Sequence, residues 1–272
     1  MRLRNTMPIV LALIVIGTAT GHDLFLKLDT YFLPANSKVT VRVLNGTFKA
    51  SEALLGRERL VDVTVLGPEL RKSGIESVSW RDESQTTLME FETDAPGTYV
   101  VAVSTKFREN SLKAEQFNDY LQHEGIPDVL AVRRKQGEMG KDVRYRYSKH
   151  VRALFQVGDK RTDEYKSALN YPVEIIPQKN PYALKLGQTL PVLCTLEGKP
   201  LSNQYVIAGW EDRDGKLHQV KARTDRNGIA SFRLGSAGKW FVKFIHMQPI
   251  KETGLNYESK WATLTFEMRK GL

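Results

Sequence analysis

The chain has 272 residues, of which 41% are hydrophobic and 26% are charged. This balance is typical of a globular protein and excludes a disordered or membrane-embedded chain, and the length suffices for one large domain or two ordinary ones. The formal net charge of +9 favours anionic partners, but the basic residues are scattered along the chain. We expect no nucleic-acid partner, because a nucleic-acid arm concentrates its basic residues in one segment.

The start of the chain has the pattern of a cleavable secretory leader. Arg2 and Arg4 form a positive start, Met7–Ile16 is apolar, and Ala19–Gly21 supplies small residues for the signal peptidase. The apolar stretch has about ten residues, whereas a membrane span needs about 20. We therefore predict a leader at 1–21 and a mature protein that begins at His22, is periplasmic or secreted, and is not embedded in the membrane.

Cys194 is the only cysteine, so no disulfide can form within the chain. It lies in the apolar segment Leu190–Leu196, which has the composition of a strand. We expect a buried and inert thiol, and stability that depends on the core alone.

Short strands with turn signals fill the first part of the mature chain. Apolar residues alternate in Lys38–Leu44 and in Leu60–Leu66, and these segments are followed by the turn pairs Asn45-Gly46 and Gly67-Pro68. Short, regularly spaced strands of this kind predict an antiparallel β-sandwich of immunoglobulin-like character.

Residues 108–147 interrupt this pattern. Phe117 and Leu121 recur at helical spacing, and a second apolar group follows after a Gly-Ile-Pro break. We expect a helical insertion that ends in a short third helix at Asp142–Tyr147, followed by a strand at Val151–Val157. An insertion of this length is expected to cap part of the fold.

Strands return after a polar linker at 158–170. The turn segments Asp212–Gly215 and Asp225–Gly228 separate several of them, which is typical of hairpins. We therefore predict a mainly β chain with two β-sandwich domains, one at 22–171 that contains the insertion and one at 172–272.

His22 is the residue with the most specific chemistry. If cleavage follows Gly21, His22 offers both its imidazole and its α-amine, whose pKa lies near ~8. Nitrogen ligands of this kind favour copper or nickel, and a third nitrogen would complete a histidine brace. The alternative is that cleavage merely leaves an exposed histidine at the new end.

The other histidines have weaker signals, and each has a purely structural interpretation. His246 lies on the apolar face of Trp240–Met247, where a hydrogen-bonded core histidine is the alternative to a ligand. His150 begins a strand, His123 ends a helix where its charge suits the helix dipole, and His218 lies next to a turn. No short-spaced metal motif and no hydrolase, phosphate-loop or dinucleotide motif is present, so we expect no enzyme.

Several segments together resemble a periplasmic bacterial family of unknown function, some members of which are described as nickel or cobalt uptake components. The segments that carry the resemblance are His22–Leu26, Lys113–Gly125, Arg146–Gly158, Val173–Leu190, Gly198–Leu201, Thr224–Gly228, Phe244–Met247 and Glu258–Phe266. The resemblance implies a leader, a helical middle, and a C-terminal module similar to the carboxypeptidase-regulatory or transthyretin type. It carries functional histidines over to His22 and His246, whereas Lys260 departs from the aromatic residue that the family usually has there.

The residues and the resemblance together predict a non-enzymatic protein that binds a divalent transition metal (nickel, cobalt or copper) and supports its uptake. The expected ligands are His22 and His246, with His150 or Glu258 completing the set. The expected partner is a membrane uptake transporter or another envelope component. Two alternatives stay open: a non-catalytic envelope-interaction or carbohydrate-binding module, and a copper-brace oxidase.

Overall fold

The structure is a computed structural model that describes residues 22–212 and 214–270. The predicted leader at 1–21 lies outside these residues. Strands make up 52% of the described residues, which confirms the predicted mainly β class.

Within the described residues, the first part of the chain forms strands β1 to β10, two helices and the long strand β11. Their bounds are β1 Asp23–Leu28, β2 Phe32–Leu33, β3 Lys38–Gly46, β4 Ser51–Ala53, β5 Leu60–Leu66, β6 Arg71–Ser73, β7 Ser79–Glu83, β8 Thr86–Glu92, β9 Gly97–Thr105, β10 Arg108–Leu112, α1 Ala114–His123, α2 Pro127–Lys135 and β11 Val143–Val157. The later strands are β12 Val173–Pro177, β13 Thr189–Leu196, β14 Lys199–Pro200, β15 Tyr205–Glu211, β16 Leu217–Arg223, β17 Ile229–Arg233, β18 Gly238–Pro249 and β19 Tyr257–Met268.

A ten-stranded sheet forms the centre of the molecule. Its order is β16-β15-β18-β19-β11-β9-β5-β6, with β10 and β2 also paired to β11. Strands β11 and β19 pair in parallel, from Tyr145 opposite Tyr257 to Ala153 opposite Thr265. The predicted domain boundary at 171/172 falls between β11 and β12, and the sheet contains strands from both sides of it. The boundary itself stays a prediction.

Two smaller sheets cover opposite faces of the central sheet. Successive side chains of a strand point to opposite faces, and on β11 Val151 and Phe155 enter the core under the five-stranded sheet of β1, β3, β4, β7 and β8. Leu154 enters the core under the four-stranded sheet of β12, β13, β14 and β17. The predicted sandwich packing is therefore present twice, with one sheet common to both cores.

The predicted helical insertion is present as α1 and α2, which cover one end of the central sheet. Phe117 of α1 is fully buried and stacks on Tyr257, with 5.5 Å between the ring centroids. The predicted third helix at Asp142–Tyr147 is wrong, because Val143 and Tyr145 alternate with exposed or half-exposed residues and pack beneath α1 as the start of β11. No helix in the described ranges is long and apolar enough to cross a membrane.

The predicted turn at Asn45-Gly46 is also wrong. Both residues belong to β3, where Asn45 pairs with Leu24 and Gly46 pairs with Asp23 of β1. The turn comes after them, closed by a hydrogen bond from the Thr47 amide to the Ala50 carbonyl. Extension of β3 to Gly46 gives the residues next to His22 a strand partner.

The four-stranded sheet is tied to the centre by a buried ion pair. Arg152 of β11 donates to Glu174 of β12, and both residues are only 3% exposed. Cys194 of β13 lies in the same core, where burial raises the pKa of its thiol. The expectation of a buried thiol is confirmed.

Candidate functional site

The central sheet separates His22 from the other three predicted ligands. Strand β1 crosses β19 on the face under the five-stranded sheet, where Oγ1 of Thr263 donates to the Leu24 carbonyl at 2.8 Å. His22, immediately before β1, lies on this face, and its carbonyl accepts from Lys149. Side chains along β11, β18 and β19 alternate between the two faces of the central sheet. Those of His150, His246 and Glu258 point to the face opposite to that of His22.

His150 and His246 each have partners other than a metal. Both ring nitrogens of His150 lie 2.9 Å from a serine hydroxyl, Nδ1 from Ser104 and Nε2 from Ser148. Burial, together with the charge of Lys260, lowers the pKa of His150 to about 3, so the ring is neutral. Nδ1 of His246 lies 3.2 Å from Oε1 of Gln204, and Lys260 stands directly opposite His246 in the pairing of β18 with β19.

Glu258 is engaged by two cations. Nε of Arg146 donates to it at 2.7 Å and Nζ of Lys260 donates at 2.5 Å. Burial alone would raise the pKa of Glu258, but these two hydrogen bonds outweigh it and lower the pKa. Lys260 thus places a positive charge where the family resemblance implies an aromatic residue, and two cations oppose a metal ion on this face. Among the described residues, no group of three or more His, Cys, Asp or Glu side chains is arranged to hold a metal.

A cavity of about 460 Å³, here called the acidic cavity, lies beside His22. Its lining contains Phe25, Phe48 and Phe241 together with the polar residues His22, Asp23, Glu52, His123, Glu124 and Lys243. Three carboxylates therefore face one ammonium and two imidazoles, which makes the cavity attractive to a cation.

Lys243 organises the inner wall of the acidic cavity. Its ammonium donates to Asp23 at 2.5 Å and to Glu124 at 3.0 Å. Burial would lower the pKa of Lys243, but the two carboxylates outweigh it and raise the pKa. Oδ1 of Asp23 is buried and has no hydrogen-bond partner among residues 22–212 and 214–270. A buried carboxylate oxygen without a partner is an available ligand atom.

The outer rim of the acidic cavity carries the two histidines. Nδ1 of His22 lies 3.1 Å from Oε2 of Glu52, and these side chains are 42% and 44% exposed. Nδ1 of His123, at the end of α1, lies 2.8 Å from the carbonyl oxygen of Asp119. Sequence reasoning treated His123 as a helix-end residue, because nothing in the spacing of α1 shows that it lines the same cavity as the start of β1.

A second cavity, of about 370 Å³, lies on the other side of His22 and is here called the basic cavity. Its lining is His22, Asn45, Ala53, Arg59, Arg108, Glu109, Asn110, Tyr145, Tyr147, Lys149 and Trp261. Three cationic side chains therefore face one carboxylate. His22 lines both cavities, and so lies between a cavity with an excess of carboxylates and a cavity with an excess of basic side chains.

Lys149 is the central polar residue of the basic cavity, and sequence reasoning missed it. The side chain is 2% exposed, and its ammonium donates to the His22 carbonyl and, at 3.1 Å, to Oδ1 of Asn45. Burial, reinforced by the charge of Arg59, lowers the pKa of Lys149 to about 7. A lysine between a serine and a histidine in a polar segment gives no sequence signal of such burial.

The solved structures that resemble the chain do so weakly. The D0-D1 domain of intimin is 16% identical over 90% of this chain and 98% of that chain, with a TM-score of 0.21. A two fibronectin type-III domain segment from chicken tenascin is 9% identical over 91% and 98%, with a TM-score of 0.23. A tetra-tandem repeat from the extending region of a large adhesion protein is 12% identical over 90% and 49%, with a TM-score of 0.21.

No curated protein matches the sequence. A family model does match, over residues 19–248, and it describes a domain of unknown function, DUF4198. Nickel or cobalt uptake stays a prediction. Since the match covers most of the sequence, the chain belongs to the DUF4198 family.

Proposed function

We propose that the protein is an exported, non-enzymatic protein that binds a divalent transition metal at His22 and supports its uptake or handling. The observation that carries the proposal is the acidic cavity, in which His22, Glu52 and His123 line one space with an excess of carboxylates. The nitrogen and oxygen donors match the preferences of nickel, cobalt and copper.

The proposed ligands differ from those expected from the sequence. His22 would supply its imidazole and, after leader cleavage, its α-amine. Glu52 and His123 lie on the same cavity, and since the described side chains form no preformed cluster, they would have to close on the ion as it binds. His246, His150 and Glu258 drop out of the set, because they lie on the opposite face of the central sheet and are engaged by other groups. Asp23 would contribute negative charge close to the metal through its unpartnered Oδ1.

The exposure of the rim suits transfer of the ion rather than a purely structural role. His22 and Glu52 are both partly open to solvent, so a bound ion could pass to a membrane uptake transporter or another envelope component. A site that only stabilised the fold would be closed on all sides.

The test begins with protein secreted through its own leader, whose first residue is established by mass spectrometry. Nickel, cobalt, copper and zinc are then titrated by calorimetry. We expect one ion per chain, and a loss of affinity of about tenfold or more for His22→Ala and for His123→Ala, because each variant removes one ligand. One residue added before His22 should weaken binding to a similar degree, since it removes the α-amine.

Two controls separate this site from the set expected from the sequence. His218→Ala removes a histidine that pairs with Asp212 outside the cavity, and binding should not change. His246→Ala should also leave binding intact. If His246→Ala abolishes binding, the proposed ligand set is wrong. If no metal binds, or if the chain does not begin at His22, metal handling is wrong and an envelope-interaction module becomes the better description.

A further inference from the structure

The basic cavity has an excess of positive charge that the described part of the chain does not neutralise. Its lining carries Arg59, Arg108 and Lys149 against the single carboxylate of Glu109. That carboxylate lies 2.5 Å from Arg144, so its charge is already paired. A concave space of this kind raises the local concentration of anions.

Two of these cations also lack the partners that buried charges normally have. Within the described residues, the ammonium of Lys149 donates only to neutral acceptors, a carbonyl and an amide oxygen. Nη2 of Arg59 is buried and has no hydrogen-bond partner within residues 22–212 and 214–270. Burial of an unpaired charge or of an unpartnered donor is costly. An anion in the cavity would relieve both costs at once.

The remaining wall is aromatic. Nζ of Lys149 lies 5.4 Å from the ring centroid of Trp261 and 5.6 Å from that of Tyr147. Nε1 of Trp261 donates to Ser259 at 3.2 Å, so its hydrogen bond is made away from the cavity lining. Aromatic rings beside a few convergent polar groups are typical of sites for small organic molecules, and about 370 Å³ is within their size range.

The charge and the aromatic wall together define the ligand. The planar fork of an arginine matches a carboxylate or a phosphate in two parallel hydrogen bonds, and the aromatic wall favours an anion with a carbon skeleton. Neither α1 nor α2 directs its first turn into the lining, as a phosphate site at a helix N-terminus would require. We propose that the basic cavity binds a small organic carboxylate, with its carboxylate group at Arg59 and Lys149 and its carbon skeleton against Trp261 and Tyr147. The proposal does not rest on the proposed metal function, although His22 lines both cavities.

The test uses the secreted protein freed of metal with a chelator that is then removed by dialysis. Acetate, succinate, citrate and benzoate are titrated by calorimetry and by tryptophan fluorescence, with phosphate and a neutral hexose as the comparison ligands. We expect at least one carboxylate larger than acetate to bind with a Kd below about 1 mM. Arg59→Gln and Lys149→Met should each weaken it about tenfold or more, since each removes a charged hydrogen-bond donor.

Arg57→Gln is the matched control. Arg57 lies on the same short 3-10 turn as Arg59, but it pairs with Asp82 at 2.6 Å and does not line the cavity. Circular dichroism shows whether each variant is folded, and Arg59→Gln decides the matter if Lys149→Met does not fold. The proposal is wrong if no carboxylate binds with a Kd below about 1 mM, if phosphate or the hexose binds as tightly, or if Arg57→Gln weakens binding as much as Arg59→Gln.

Discussion

The carboxylate of Asp23 lies 2.5 Å from the ammonium of Lys243, although 220 positions separate the two residues in the sequence. Glu124 shares the same ammonium from the end of α1. One buried cation therefore joins the start of β1, the helical insertion and β18, and holds the wall of the acidic cavity in place.

Lys243→Met should destabilise the protein by about 3–5 kcal/mol, because it leaves two largely buried carboxylates without their cation. Urea denaturation followed by circular dichroism measures the change in the free energy of unfolding. Lys221→Met, at an exposed position of β16, is the control and should change stability by less than about 0.5 kcal/mol. Addition of Glu124→Gln to Lys243→Met should restore part of the loss. A loss below about 1 kcal/mol for Lys243→Met would show that the pair contributes little.

Lys149 should make stability depend on pH above neutrality. Its pKa is about 7 in the folded protein, against an ordinary lysine pKa of 10.5. Between these values the unfolded chain binds more protons than the folded one, so the free energy of unfolding rises with pH, by up to about 1.4 kcal/mol per pH unit. Asp23 and Glu124 oppose the lowering of this pKa, whereas Arg59 and Arg108 support it.

The comparison of the wild type with Lys149→Met isolates this effect. Denaturation at pH 7, 8 and 9 should show the stability of the wild type rising relative to that of the variant, because the other titrating groups are common to both. Lys243 does not confuse the result, since its pKa is raised and it stays charged over this range. A difference that stays constant from pH 7 to pH 9 would contradict the prediction.

The buried pair of Arg152 and Glu174 should behave as a unit. Arg152→Met alone should cost about 3–5 kcal/mol, because Glu174 is left buried without its cation. The double variant Arg152→Met/Glu174→Gln should cost clearly less than the sum of the single changes. A double-mutant cycle in urea measures this coupling, and additive losses would mean that the two side chains do not interact in solution.

Sequence alternation predicted which residues of a strand share a face. It placed His246 with Trp240, Val242 and Phe244, and the last three lie together in the core under the four-stranded sheet. Alternation does not show which strands become neighbours, because the pairing of β11 with β19 joins residues 112 positions apart. The sequence therefore could not show that His22 lies across the sheet from His246.

Local signals failed where tertiary contacts decided the structure. Asn45-Gly46 is a strong turn pair, yet Asn45 is 8% exposed in β3 and accepts a hydrogen bond from Lys149. Asp142–Tyr147 is rich in charge, yet the burial of Val143 and Tyr145 beneath α1 makes it a strand. In both cases the deciding contact comes from a distant segment, and both segments lie next to the basic cavity or line it.

The parallel pairing of β11 with β19 has a consequence for how the chain folds. The last long segment of the sequence, Tyr257–Met268, lies between β18 and β11 in the central sheet. The sheet is therefore complete only after β19 has inserted between β18 and β11. Contacts between segments so far apart in the sequence form slowly. A chain cut after residue 171 would keep β11 but leave one of its edges open, and open edges promote aggregation.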